Sequence, residues 1–234
     1  MREKTRVLVL STTPWTSTGI VVDDEAKEIY ERLQEGPYRD RFQLHNHVAR
    51  RPSDLQKLLL TYEPHIVHFS EYRSQLRRIL FGESQKRCSA VSNQRLANVF
   101  ALYNSHVRLV LLNSCFTMAQ ARSISEVINY SVRKGMSDRV AVTFAGAFYR
   151  ALGFGKSIRA AFESAKAELA LTTTRPLPGF ELFVRNGVSE RDRFPRTIKP
   201  ARRRKLVRRY RCAPGSTVPS RLRHVARGDE GVAR

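Results

Sequence analysis

Cysteine is scarce: 234 residues contain three, Cys88, Cys115 and Cys212. An odd, widely spread set offers no disulfide framework and no metal-ligand spacing. It excludes a secreted disulfide scaffold and points to a reduced, cytoplasmic setting with no metal or other cofactor. Long apolar runs are missing as well. None approaches the ~18 residues of a transmembrane helix, so no membrane association is expected. The start, Met1-Arg2-Glu3-Lys4-Thr5-Arg6, leads into a short strand-like segment rather than a secretory apolar region. Acidic residues are few, 21 against 42 lysines and arginines, for a net charge of +21. The imbalance is concentrated. Residues 189–234 hold 15 basic and 4 acidic side chains, net +11, whereas residues 1–188 hold 27 and 17, net +10. Such charge promotes adhesion to polyanions without specifying nucleic acid. No internal repeat is present.

What is there is an alternation of strand-like and helix-like segments. Arg6–Ser11 is a β-branched and leucine run that stops at Thr12-Thr13-Pro14. Asp23-Asp24 precede a helical pattern with Ala26, Ile29, Tyr30 and Leu33 on one face, closed by Gly36-Pro37. Phe42, Leu44 and Val48 suggest a polar strand near a sheet edge. Pro52-Ser53-Asp54 opens a helix carrying Leu55, Leu58, Leu59 and Tyr62, and Pro64 ends it. His65–Ser70 is a strand apolar on both faces, as central parallel strands are. Residues 71–91 read as irregular, with Leu80-Phe81 the one strand-like piece. Ser92 caps a helix through Tyr103, and a second doubly apolar strand spans 107–112. Helices follow at Met118–Ile128, 139–152 and from Lys156-Ser157 to Thr172, and Gly179–Arg185 is a last strand. This pattern predicts an α/β fold with a mainly parallel sheet. From Ser189 onward apolar periodicity ends, and the segment reads as a disordered basic tail.

The chemistry-bearing residues cluster at strand ends. Cys115 follows the run Val107–Leu112 and the turn Asn113-Ser114, where an α/β sheet presents a nucleophile. A buried cysteine is also a small hydrophobe, and that is its plainer role. His68 lies inside its strand and reads as a hydrogen-bonded core histidine, with a substitute base as the alternative. His65 and His68 are too few for a metal site. His45 and His47 share one strand face, which reads as solvated. Asp138 precedes a helix, where N-capping competes with a pocket role. Gly153-Phe154-Gly155-Lys156-Ser157 follows a helix rather than a strand, so it reads as a helix end and a new helix start, not a phosphate loop.

Several of these segments together resemble the CHAT domain, a caspase-like cysteine peptidase family. Pro64-His65-Ile66-Val67-His68-Phe69-Ser70 resembles its third-strand motif, and Leu109-Val110-Leu111-Leu112-Asn113-Ser114-Cys115 its nucleophile strand. Val91–Phe100, Gly135–Asp138, Ala147–Gly153, Gly155–Ile158 and Ala161–Glu163 match in order and spacing. The resemblance covers roughly residues 5–187. It implies a Cys–His dyad at the carboxyl ends of adjacent parallel strands, with thiolate attack on a peptide carbonyl and imidazole as base and then acid. The family's motif after the third strand is Ser-Gly-His-Gly. Here it is Ser70-Glu71-Tyr72-Arg73, so Tyr72 stands at the position of the catalytic histidine. Each of the three replacements is one transition away from the family residue. The family also has a strand near 128–134, where Asn129–Lys134 is shorter and polar. Both features read as decay of an active ancestor.

The resemblance therefore implies a caspase-like three-layer domain over residues 1–188 followed by the basic tail, 189–234. Cys115 takes the nucleophile position and Tyr72 the base position. His68, Ser70, Asn113, Ser114 and Asp138 are pocket candidates, and backbone amides beside Asn113 and Ser114 suit an oxyanion hole. The expected partner is a peptide or protein, cut weakly or bound without cutting. The alternative is a nucleic-acid binder acting through the tail, whose single aromatic, Tyr210, offers little stacking.

Overall fold

The computed structural model describes residues 4–11, 20–70, 80–84, 87–113, 118–133, 138–172, 180–189 and 192–194. All lie within the unit Met1–Lys199. In chain order the elements are β1 (Thr5–Ser11), α1 (Ile20–Gln34), β2 (Phe42–Val48), α2 (Pro52–Tyr62), β3 (Ile66–Ser70), β4 (Leu80–Ser84), β5 (Arg87–Ala90) and α3 (Asn93–Leu102). They continue with β6 (Leu109–Asn113), α4 (Met118–Ser125), β7 (Tyr130–Arg133), α5 (Asp138–Gly153), α6 (Ile158–Thr172) and β8 (Glu181–Val184).

Six strands form one sheet in the order β2-β1-β3-β6-β7-β8, parallel except for β8, which runs antiparallel to β7. The α/β expectation holds, and polar β2 is an edge strand as its sequence suggests. Alternation along the strands sorts the core into two faces. Val7, Val9, Ile66, Leu109 and Leu111 pack against α1, α5 and α6. Leu8, Leu10, Val67, Phe69, Val110 and Leu112 pack against α2, α3 and α4. The central strands are thus covered on both faces, which is why they read as continuous apolar runs.

Local signals set the helix ends. Asp54, in the first turn of α2, accepts from the amides of Arg50 at 2.9 Å and Arg51 at 2.8 Å. Glu63 ends that helix in the left-handed region at φ 40°, and Pro64 follows. The Ser92 hydroxyl accepts from the Arg95 amide at 3.3 Å. Gly155 at φ 73° turns the chain out of α5, and the Ser157 hydroxyl caps α6 by accepting from the Ala160 amide at 3.2 Å. The 153–157 segment is the helix end and helix start that its sequence indicates. Gly36 is required for another reason: a Cβ there would lie 2.2 Å from the carbonyl oxygen of Gly153. The ends of α1 and α5 meet backbone to backbone, and the Tyr38 amide bonds that carbonyl at 3.1 Å.

Several expectations require correction. β4 and β5 pair antiparallel over 80–84 and 87–90, with Phe81 buried in the second core, where a mostly irregular segment was expected. One buried aromatic anchors strands too polar to announce themselves. α1 begins at Ile20, so Asp23 and Asp24 lie inside it, and α4 stops at Ser125. Tyr30 is exposed rather than part of the α1 stripe. His45 and His47 do not face open solvent: both are half-buried, with ring centroids 4.1 and 4.8 Å from that of Tyr62. The strand near 128–134 is present as β7. Tyr130, Ser131 and Val132 are fully or nearly fully buried, and the polar letters there do not signal a lost strand.

Packed structure also continues past residue 188. The Asp192 carbonyl accepts from the Ile158 amide at 3.0 Å, and its carboxylate pairs with Arg108 at 3.1 Å. The Arg108 guanidinium lies 4.4 Å from the ring centre of Phe194, which is 1% exposed in the first core. The Tyr130 hydroxyl donates to the Ser189 carbonyl. A chain ending at 188 removes the Asp192 and Phe194 contacts of Arg108 and uncovers that core. Truncation after 188 should lower the urea midpoint sharply, truncation after 199 should leave it near that of the full chain, and Phe194→Ala should cost about 3 kcal/mol.

Candidate functional site

The sheet reverses its direction of growth between β1 and β3. The chain leaves β1 through α1 to reach β2 on one side, and leaves β3 through α3 to reach β6 on the other. Ligands of open α/β sheets bind outside the carboxyl ends of strands at such a point. The strand ends there are in register: Ser11 pairs with Ser70, and Ser70 with Asn113. Cys115 and Ser114 follow Asn113, and Tyr72 follows Ser70 by two positions. Tyr72, Ser114 and Cys115 lie outside the described residues, as do Glu71 and Arg73.

The described side chains at this edge form a buried polar network that sequence reading does not assemble. Its centre is Glu25 of α1, 4% exposed. One carboxylate oxygen lies 3.2 Å from Nε2 of His68, and the other accepts from the Ser70 hydroxyl. Nδ1 of His68 lies 3.4 Å from the hydroxyl of Tyr149 on α5. Position parity explains the meeting: Ile66, His68 and Ser70 alternate onto the face covered by α1 and α5. The donor roles follow from the inventory of protons. A carboxylate only accepts, so His68 Nε2 and Ser70 each present a proton to Glu25. In a neutral imidazole Nδ1 is then the acceptor, and Tyr149 donates to it. Burial pushes the Tyr149 hydroxyl well above its ordinary value of 10.0, and the nearby charge of Glu25 adds to that. Both effects keep the phenol protonated and donating.

This arrangement is not a Ser–His–acid triad. In a triad the imidazole stands between hydroxyl and carboxylate and takes the hydroxyl proton. Here the carboxylate stands between them, and His68 is fully buried with partners at both nitrogens. His68 is the hydrogen-bonded core histidine of the plainer expectation. It has no free lone pair for a thiol, so it does not substitute as a base.

The remaining candidates are placed as follows. Asn113 is the last residue of β6, and Asp138 is the first residue of α5 rather than a residue preceding it. His65 Nδ1 accepts from the Arg6 amide at 3.1 Å, a strand-joining contact. Ser11 is 1% exposed, and its hydroxyl has no hydrogen-bond partner among the described residues. Among the described residues no three His, Cys, Asp or Glu side chains are gathered to hold a metal, and no helix is long and apolar enough to cross a membrane.

Sequence reading missed Glu25 because it credits α1 with a stripe of hydrophobes and assigns charges to solvent. The signal was one helical turn away: Glu25 precedes Ile29 by four positions and so shares its buried face. No protein-family model matches the chain, and no curated protein matches it.

Burial and the charge of Glu25 make the Tyr149 phenol harder to ionise, and stability follows. The unfolded phenol ionises near its ordinary value and the folded one well above it, so this contribution is complete below pH 10 and is lost as pH rises beyond. Tyr149→Phe should cost about 1 kcal/mol at pH 8 through the lost hydrogen bond, and should flatten the fall in stability above about pH 10. Urea midpoints of the two proteins at pH 8 and pH 11 measure both effects.

Proposed function

We propose that the chain is a CHAT-type, caspase-like cysteine-peptidase fold with an impaired dyad. The observation that carries the reading is the register of the two strand ends. β3 and β6 are adjacent and parallel, with Ser70 opposite Asn113, and positions 72 and 115 each lie two residues beyond that pair. A parallel neighbour pair of this kind suits a base on one strand end and a thiol on the next. The helices on both sheet faces are compatible with the three-layer caspase-like sandwich.

In this reading Cys115 is the nucleophile and Tyr72 occupies the base position. Asn113 and Ser114 shape the turn, and amides beside them serve as the oxyanion hole. An unperturbed thiol, with a pKa of about 8.5, is only a few per cent thiolate at neutral pH. A phenol with a pKa of about 10 does not accept its proton there. Loss of general-base assistance costs ~10²–10⁴-fold, so proteolysis is weak or absent. His68, held between Glu25 and Tyr149, does not make up the loss. The chain then binds a peptide or protein segment at the strand ends more than it cuts one.

The reading is tested by restoring the family motif through Glu71→Gly, Tyr72→His and Arg73→Gly together. The restored chain should react at Cys115 with an electrophilic peptide probe at least about 10²-fold faster than the original. Cys115→Ala in the restored chain should abolish that reaction. Equal labelling of both chains, or labelling that survives Cys115→Ala, contradicts it.

A further inference from the structure

Glu25 is the one ionisable side chain of α1 among the described ones that is buried, and it reaches across to the two last inward-facing residues of β3. Those residues are not ordinary positions. Ser70 is the last residue of β3 and is flanked by Ser11 and Asn113, the last residues of β1 and β6. These are the last described residues before 12–19, 71–79 and 114–117 in the sequence. α1 is itself fixed independently of Glu25. Ile29 and Leu33 bury in the first core, and Gly36 meets Gly153 of α5 at backbone distance. A carboxylate mounted on a fixed helix and bonded to a strand end acts as a strut.

We propose that Glu25 is a positioning residue: by accepting hydrogen bonds from His68 and Ser70 it fixes the end of β3 and, through the backbone ladder, the ends of β1 and β6 from which positions 72 and 115 follow. The part of this that concerns Cys115 rests on the peptidase-type reading above; the part that concerns the strand ends does not. Tyr149 acts behind Glu25. It holds His68 through Nδ1, leaving the Nε2 proton for the carboxylate. A hydrophobe at position 25 would fill the volume but accept no proton, and the Ser70 hydroxyl would lose its partner at the strand end.

The experiment compares the full chain carrying Glu25, Glu25→Gln, Glu25→Ala or Tyr149→Phe by backbone amide exchange. In Glu25→Ala, exchange over 66–70 should rise by about tenfold or more, with smaller rises over 5–11 and 109–113 and none over 181–184 at the far edge. Glu25→Gln keeps an acceptor and should recover most of the protection, and Tyr149→Phe should loosen 66–70 alone. Where Glu25→Ala does not fold, the Gln and Phe variants carry the comparison. Exchange that rises uniformly across all strands, or that is unchanged at the strand ends, overturns the proposal. A second arm introduces Glu25→Ala and Glu25→Gln into the chain restored at 71–73 and follows iodoacetamide labelling of Cys115 against Cys88 and Cys212. Slower Cys115 labelling in Glu25→Ala, recovered in Glu25→Gln, supports the positioning role. An unchanged Cys115 rate in a restored chain that labels selectively overturns it. A restored chain with no selectivity for Cys115 sinks the peptidase reading instead, and the exchange arm still decides the role of Glu25.

Discussion

A carboxylate buried between a helix and a sheet is tolerated only when protons are pointed at it, because desolvating the charge costs several kcal/mol. Glu25 is such a group, and the carboxyl edge of this sheet is arranged around it. His68 and Ser70 supply the protons, and Tyr149 fixes which nitrogen of His68 carries one. Each of the three comes from a strand or helix distant in sequence, so the network forms only once α1, β3 and α5 are assembled. It is a specificity device as much as a stabilising one: a one-residue slip of β3 would turn His68 and Ser70 onto the opposite face.

The rest of the fold puts this edge where chemistry is possible. Parallel strands with helices on both faces leave their carboxyl ends as the one place where loops from several strands converge. Three in-register strand ends, Ser11, Ser70 and Asn113, define that place here. At the other end of the strands a separate clasp closes the domain, in which Arg108 pairs with Asp192 and lies over Phe194. The two ends differ in character. The clasp is an ion pair and a buried ring, built for closure. The carboxyl edge carries a buried carboxylate, an imidazole and hydroxyls, among them that of Ser11, which has no partner among the described residues.

The strands β1, β3 and β6 were legible in the sequence because both their faces are buried, so every residue reports the same environment. The helices were legible from their stripes and from caps such as Ser92 and Gly155. What was not legible shares one cause: single residues whose burial depends on a distant partner. Phe81 is the one aromatic of the short β4–β5 strand pair, and Phe194 is a lone ring in a charged segment, too little for a periodicity argument. Ser131 is polar yet fully buried in β7. Glu25 reads as solvent-facing until His68 and Ser70 are seen opposite it. Of the candidate site, His68 and Ser70 were found from the strand motif, but the carboxylate that joins them was not. The roles of Tyr72 and Cys115 rest on the motif and on the register of the strands that precede them.

The central claim is that Glu25 accepts a hydrogen bond from Nε2–H of His68 while Tyr149 donates to Nδ1. Long-range ¹H–¹⁵N correlation of the His68 side chain measures this directly. The arrangement predicts a proton on Nε2 and none on Nδ1, with the Nε2 proton shielded from solvent exchange and the pattern lost in Glu25→Ala. A His68 ring protonated at Nδ1, or one whose tautomer is indifferent to Glu25, would contradict it.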